Sequence, residues 1–184
     1  RDGVLYGTTR YGGTHQPSGR GTVFKLDVDG SGYSVLYNFG SIADDGMYAF
    51  GPVEGSDGVL YGTTQWSDSQ TNPGDYTPGT VFKLNRDGSG YGVLYHFGSS
   101  VGDGLQPFAG VIEGSDGILY GTANYGGLSN NGTVFKLNKD GSVYAMLRSF
   151  TGVPTDGTFP NGTLVRARDG AYYGTTIYGG LHTA

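Results

Sequence analysis

The sequence has no cysteine, two methionines and one tryptophan among its 184 residues. Without thiols there can be no disulfide, no cysteine-bound zinc and no cysteine nucleophile. Charge is also scarce: Asp, Glu, Lys and Arg make up 15% of the chain, against about 25% in ordinary globular domains. The 11 basic residues form no cluster and the net charge is −5. That excludes the basic stripe with which proteins neutralise a nucleic-acid backbone, so no nucleic-acid partner is expected. No apolar run approaches the roughly 20 residues of a spanning helix, and no membrane insertion is expected. The sequence begins at Arg1 and so carries no information on targeting.

Glycine and tyrosine are abundant, with 37 and 15 copies, and they recur in phase. Asp-Gly, a short apolar run and Tyr-Gly-Thr begin at Asp2, Asp57, Asp116 and Asp169, with spacings of 55, 59 and 53 residues. Gly-Thr-Val-Phe-Lys-Leu begins in the same phase at Gly21, Gly79 and Gly132. The units are therefore 2–56, 57–115, 116–168 and a partial 169–184. Periods near 50 residues mark solenoids, propellers or arrays.

Each unit's frame holds four strand-like stretches bounded by Gly, Asp, Asn and Pro, such as 110–113, 118–123, 133–137 and 144–150. Phe135 and Leu137 fall on one face of the third stretch, Val134 and Lys136 on the other. Tyr33, Val35, Tyr37 and Phe39 share a face of a fourth stretch, with Leu36 opposite. Apolar residues on both faces require a sheet covered on both sides. The expected fold is all-β: a β-propeller-like array of four-stranded antiparallel blades, about three blades plus a partial fourth. Gly7, Gly62, Gly121 and Gly174 lie inside a strand, where a bulge or close backbone approach near a crowded axis is expected.

Length varies in one place. The segment between Tyr-Gly-Thr-(Thr/Ala) and Gly-Thr-Val-Phe has 11, 14 and 8 residues, whereas the hairpin after the third strand always has six. In a four-strand meander the variable loop and the crossover to the next blade emerge at the same end. Variable loops on a rigid scaffold commonly carry binding residues. The candidate ligand-binding residues are therefore Trp66, Tyr11, Tyr125 and Asp68 in the loops, with Asp45, Asp103 and Asp156 in the crossovers. His15, Gln70, Asn72, Asp75, Tyr76 and Asn124 lie on the same end.

The LYGTT, YGG, GTVFKL and DGSGY segments and the DG-x-x-P crossovers (Asp103 to Pro107, Asp156 to Pro160) resemble the GloVer tandem-repeat family of secreted bacterial proteins. The resemblance covers the whole chain. It implies an extracytoplasmic repeat protein, extracellular or at the cell surface, whose relatives carry a signal peptide and a C-terminal anchoring signal. It supplies no catalytic residues. Unit two departs from it, with WSDSQTN in place of YGG, and Ala49 stands where other crossovers have proline.

Three patterns invite chemistry, each with a plainer reading. Asp27-x-Asp29-Gly-Ser31-Gly resembles the start of a calcium loop but lacks the late bidentate glutamate, and a tight hairpin explains the same letters. No metal or cofactor is expected. His15, His96 and His182 have no nucleophile paired with them, and the carboxylates recur once per unit as structure requires. Loop aromatics can stack on sugar rings or cover their own sheet. The expectation is a non-enzymatic protein binding glycan or protein through one loop face. The alternative is a structural subunit of an extracellular filament assembling through blade edges. Closed propellers use roughly four to eight blades, so partners are expected to be further copies of the chain or further repeats.

Overall fold

The computed structural model describes residues 3–14, 19–42, 45–68, 76–152 and 154–180. His15, Gln70, Asn72, Asp75 and His182 lie outside them. The described residues form an all-β structure of antiparallel sheets, with no helix among them. The first sheet contains β1 (Val4–Thr9), β2 (Thr22–Asp27) and β3 (Ser34–Asn38). The second contains β4 (Gly46–Glu54), β5 (Val59–Asp68), a short β6 (Tyr76–Thr77) on the end of β5, β7 (Thr80–Asn85) and β8 (Gly92–His96). Its spatial order is β4-β5-β7-β8. Next come β9 (Gly104–Leu105), β10 (Ile112–Glu113), β11 (Leu119–Ala123), β12 (Tyr125–Gly126), β13 (Thr133–Leu137) and β14 (Tyr144–Ser149). The third sheet has the order β10-β11-β13-β14, and β9 pairs with β12. Last are β15 (Gly157–Pro160), β16 (Val165–Arg166), β17 (Tyr172–Tyr173) and β18 (Thr176–Gly179), pairing as β15-β18 and β16-β17.

The four strands expected for the third unit are thus β10, β11, β13 and β14. Sheets and repeats are out of phase, because the Asp-Gly at Asp57, Asp116 and Asp169 falls in the turn between a sheet's first and second strands. Asp57 holds that turn. Its carboxylate accepts the Val59 N–H at 3.2 Å and the Tyr61 hydroxyl at 2.8 Å. Asp116 does the same with Ile118 and Tyr120, and Asp169 with Ala171 and Tyr173. The spacing of Asp-Gly from the tyrosine of Tyr-Gly-Thr is therefore a hydrogen-bonding requirement.

The strand glycines answer to a phenylalanine ring. Gly7, Gly62 and Gly121 stand directly across from Phe24, Phe82 and Phe135 in the ladder. A Cβ on any of the three would lie 2.5, 2.5 or 2.6 Å from the ring of that phenylalanine. The tip of the ring lies over the bare backbone of the neighbouring strand, and at Gly62 the expected bulge is present too, in β4 between Phe50 and Val53, with the Phe50 carbonyl 3.1 Å from where a Cβ would be. A further bulge recurs between the third and fourth strands, at Val23/Phe24, Val81/Phe82 and Val134/Phe135.

The core lies between successive sheets. Val23, Phe39, Ala49, Leu60, Phe82 and Leu84 fill the space between the first and second. Phe97, Val111, Leu119, Phe135 and Leu137, with Tyr61 and Val81, fill that between the second and third. Burying each Phe or Leu contributes about 1.5–3 kcal/mol. Each junction is also tied by a hydrogen bond in phase: the second-strand hydroxyls of Thr8, Thr63 and Thr122 donate to the carbonyls of Ala49, Ala109 and Gly162, in the crossover segment that supplies the next sheet's first strand. No closed barrel or ring forms among the described residues.

The first crossover explains the departure at Ala49. Asp45 and Asp57 are one residue closer than Asp103 and Asp116. Ala49 takes a place in the ladder opposite Thr64, and β4 runs unbroken but for a bulge between Phe50 and Val53. In the next sheet the longer, proline-containing crossover divides the same strand into β9 and β10.

Candidate functional site

The three crossover aspartates sit in hydrogen-bonded turns. Asp45 is fully buried and accepts the Tyr37 hydroxyl at 2.9 Å and the N–H groups of Gly40 and Ser41 at 2.7 and 3.0 Å. Asp103 accepts the Tyr95 hydroxyl at 2.7 Å, Gly98 and Ser99 N–H at 2.9 and 3.2 Å, and Gly104 N–H at 2.7 Å. Asp156 accepts the N–H and hydroxyl of Thr151, both at 2.9 Å, the Gly157 N–H at 3.0 Å and the Arg148 guanidinium at 2.8 Å. These carboxylates accept the hydrogen bonds that close the crossover turn, and the Oδ1 of Asp45 is buried with no hydrogen-bond partner. Burial pushes the Asp45 carboxyl above its ordinary range, outweighing the donors around it. The donors around Asp156 hold its carboxyl down to about 2.

A second tyrosine completes this arrangement from the following sheet. Tyr91 lies flat on Tyr37 with centroids 4.1 Å apart, and Tyr144 lies flat on Tyr95 at 3.9 Å. The Tyr91 hydroxyl faces Asp45 and accepts the Gly46 N–H at 3.4 Å. Burial, reinforced by the aspartate charge, raises the Tyr91 and Tyr144 hydroxyls well above the usual phenolic range. The tyrosines are thus kept neutral, and the Tyr144 hydroxyl is buried with no hydrogen-bond partner.

The loop aromatics share one place in the repeat. Tyr11, Trp66, Tyr125 and Tyr178 occupy one phase, each near the loop end of a second strand. In the ladder Trp66 stands opposite Met47, Tyr125 opposite Leu105 and Tyr178 opposite Thr158. Trp66 and Tyr125 are half-buried, whereas Tyr11 is 59% and Tyr178 67% exposed. Asp68 ends β5, its backbone paired with Tyr76.

A set of residues that the sequence reading did not single out joins these aromatics. Tyr48, Gln106 and Phe159 recur two residues after the crossover glycine and all lie in the left-handed region, with φ of 59°, 52° and 57°. Such backbones cost about 1–3 kcal/mol each in a non-glycine residue. The compensation repeats as well: their N–H groups donate to Arg20, Pro78 and Asn131 carbonyls, just before each Gly-Thr-Val-Phe strand, at 3.0, 2.7 and 2.8 Å. Two of these side chains are aromatic and meet the loop tyrosines. Tyr48 packs edge-on to Tyr11 at 5.3 Å, and the Arg10 guanidinium lies 5.7 and 5.3 Å from the two ring centres. Arg10 also donates to Gln65 at 2.8 Å.

From there a continuous row of rings crosses the later sheets. Phe50 meets Phe108 at 5.8 Å, Phe108 meets Tyr125 at 6.4 Å, Tyr125 meets Phe159 at 5.2 Å and Phe159 meets Tyr178 at 6.3 Å. All five rings are at least partly exposed. The signal that could have found Tyr48, Gln106 and Phe159 is their shared offset from the crossover Asp-Gly.

The calcium-like segment is a hairpin turn. Asp29 accepts the Ser31 N–H and hydroxyl at 2.9 and 2.7 Å, and Gly30 N–H donates to the Asp27 carbonyl at 2.9 Å. Asp87 and Asp140 repeat the bond to the N–H two residues on. At this opposite end Lys139 reaches back to the preceding sheet, 3.2 Å from Asp57, and pairs with Glu113 at 2.7 Å.

Stacked antiparallel sheets, each closed by the same aspartate and tied to the next in phase, define a tandem-repeat all-β protein. The chain belongs to the Gloeobacter/Verrucomicrobia repeat family, whose family model matches residues 1–184. A search of curated proteins found no match. Among solved structures, a chain from "Crystal structure of Nidogen/Laminin Complex" is similar in fold, with a TM-score of 0.54 and 15% identity over 89% of this chain and 48% of that one. This chain spans about half the length of that one, and the likeness concerns fold alone.

Proposed function

We propose that this protein is a non-enzymatic binding module of the bacterial cell exterior, its sheets arranged as consecutive blades of a β-propeller-like array, and that it holds a glycan on its loop-bearing end. The observation that carries this reading is the row of partly exposed rings from Phe50 through Phe108, Tyr125 and Phe159 to Tyr178. Aromatic faces suit the C–H-rich faces of sugars, and neighbouring rings offer successive platforms along a chain of sugar units. The left-handed backbone of Phe159 within the row supports it, since strain of this kind concentrates at binding sites. The polar side chains of Gln106 and Asn161 replace rings in this phase and supply hydrogen-bonding groups for hydroxyls. The exterior location rests on the resemblance of the repeat motifs to those of secreted bacterial proteins.

A glycan array followed by titration calorimetry tests the reading. Tyr125→Ala and Trp66→Ala are expected to weaken binding of the selected glycan at least about tenfold, a change of about 1.4 kcal/mol. An array with no glycan bound, or binding indifferent to Tyr125, would remove the glycan reading.

A further inference from the structure

At the last sheet the repeat's own contacts are left open. Gly174 follows Tyr173 as Gly62 follows Tyr61, yet no phenylalanine ring covers it. A Cβ there would meet the flexible end of Leu164 at 2.8 Å. Phe150 holds the position of Phe39 and Phe97. Those two are 0% and 2% exposed and pack edge-on against Phe82 and Phe135 of the following sheet, at 5.4 and 5.1 Å. Phe150 is only half-buried. Between Phe150 and Gly174 lies a cavity of about 320 Å³, lined also by Thr122, Val134, Pro160 and Leu164. Alongside it β17 and β18 have a partner strand on one side only, among the described residues. Val165, Tyr173, Ile177 and Tyr178 are 65%, 56%, 49% and 67% exposed around this edge.

We infer that this cavity is a socket for a phenylalanine carried by an incoming strand of the repeat's own Gly-Thr-Val-Phe-Lys-Leu type, which adds antiparallel to β17 and β18. The occupant follows from interfaces already present in the molecule. In the first three sheets a strand of this sequence lies beside Tyr-Gly-Thr, with phenylalanine opposite glycine each time. In the second and third sheets that phenylalanine also meets the preceding sheet's Phe39 or Phe97. The last sheet offers the same glycine, the same preceding phenylalanine and a hole of matching place. The register is fixed by analogy with Gly121 and Phe135: the incoming phenylalanine faces Gly174, the valine before it faces Thr175 and the threonine before that faces Thr176. Thr64 and Thr80 already show the last contact, their hydroxyls 2.7 Å apart, whereas the Thr176 hydroxyl turns to the Tyr178 carbonyl at 3.2 Å. Main-chain bonds to an open edge supply affinity and the side-chain socket supplies selectivity, as in other cases of strand addition. The inference does not depend on the glycan reading.

The test uses a synthetic, fluorescently labelled peptide of residues 131–150, which contains one such strand and its hairpin, added to the 184-residue chain. Saturable binding by anisotropy is expected, with hydrogen-exchange protection gained within residues 172–178. The same peptide carrying Phe135→Ala is expected to bind at least about tenfold more weakly. Because this change is in the peptide, folding of the chain is unaffected. A chain carrying Gly174→Val, whose side chain enters the socket, should lose the binding while keeping its exchange pattern elsewhere. No binding by the unaltered peptide, or equal binding by the alanine peptide, overturns the inference.

Discussion

The junction between the first and second sheets and the one after the third are written with nearly the same letters and behave differently. At the first, Phe39 is sealed against Phe82, Tyr37 lies on Tyr91, and Asp45 is buried beneath them. At the last, Phe150 borders an open cavity, Arg148 stands where Tyr37 and Tyr95 stand, and Asp156 pairs with that arginine near the surface. The repeated residues therefore specify contact between units. Their worth depends on whether the neighbouring third strand is present to receive them.

The sharpest way to break this comparison is to truncate the paired phenylalanines. Phe82→Ala removes a fully buried ring and is expected to cost about 3–5 kcal/mol by urea denaturation, whereas Phe150→Ala should cost no more than about 2 kcal/mol. Equal losses would mean that the last junction is as sealed as the first.

The glycines should differ in sign. Gly62→Ala drives a methyl into the Phe82 ring and is expected to destabilise by about 1–3 kcal/mol. Gly174 faces no ring, and its φ is not left-handed. Gly174→Ala should therefore be neutral or stabilise by up to about 1 kcal/mol, because alanine restricts the unfolded chain. Paired thermal melts of the two variants check this.

The smallest effect is in pH dependence, and again the junctions oppose each other. Asp156 has a folded pKa of about 2 against an ordinary 3.8. Its contribution is complete above about pH 4 and is lost as pH falls through the folded value. Asp45 is shifted upward from 3.8 by burial. The fold favours its protonated form, so that contribution is complete below about pH 3.8 and is lost as pH rises through the folded value. Stability measured from pH 2 to 6 should lose its acid-side fall in Asp156→Asn and its rise on acidification in Asp45→Asn.

Much of the fold was legible because its signals are local. Alternation in Thr133–Leu137 and the turn letters around Asp140 specify a hairpin whatever surrounds it, and the period in Asp-Gly and Tyr-Gly-Thr announced the number of sheets. The hydrogen-bond partners of the crossover aspartates were not legible, because repetition says that a carboxylate is needed without saying by what. Asp45 and Asp103 answer to tyrosines eight residues earlier and to turn amides, partners that no spacing rule distinguishes from a ligand. The ring over Gly62 was hidden for a related reason, since it comes from Phe82, twenty residues on. Tyr11, Trp66 and Tyr125 were placed at the loop end by counting loop lengths. Tyr48, Gln106 and Phe159 escaped because a left-handed backbone at a non-glycine residue has no sequence signature of its own.

The offset between unit and sheet has an evolutionary consequence. Because the units at Asp57, Asp116 and Asp169 open inside the turn that follows a sheet's first strand, duplication or deletion of one whole unit by recombination rejoins a first strand to an equivalent second strand. Such an event changes the number of sheets without leaving any of them half-built at the join. Arrays of this kind can lengthen or shorten through single genetic steps, each yielding a product in which every internal seam is already a tested one.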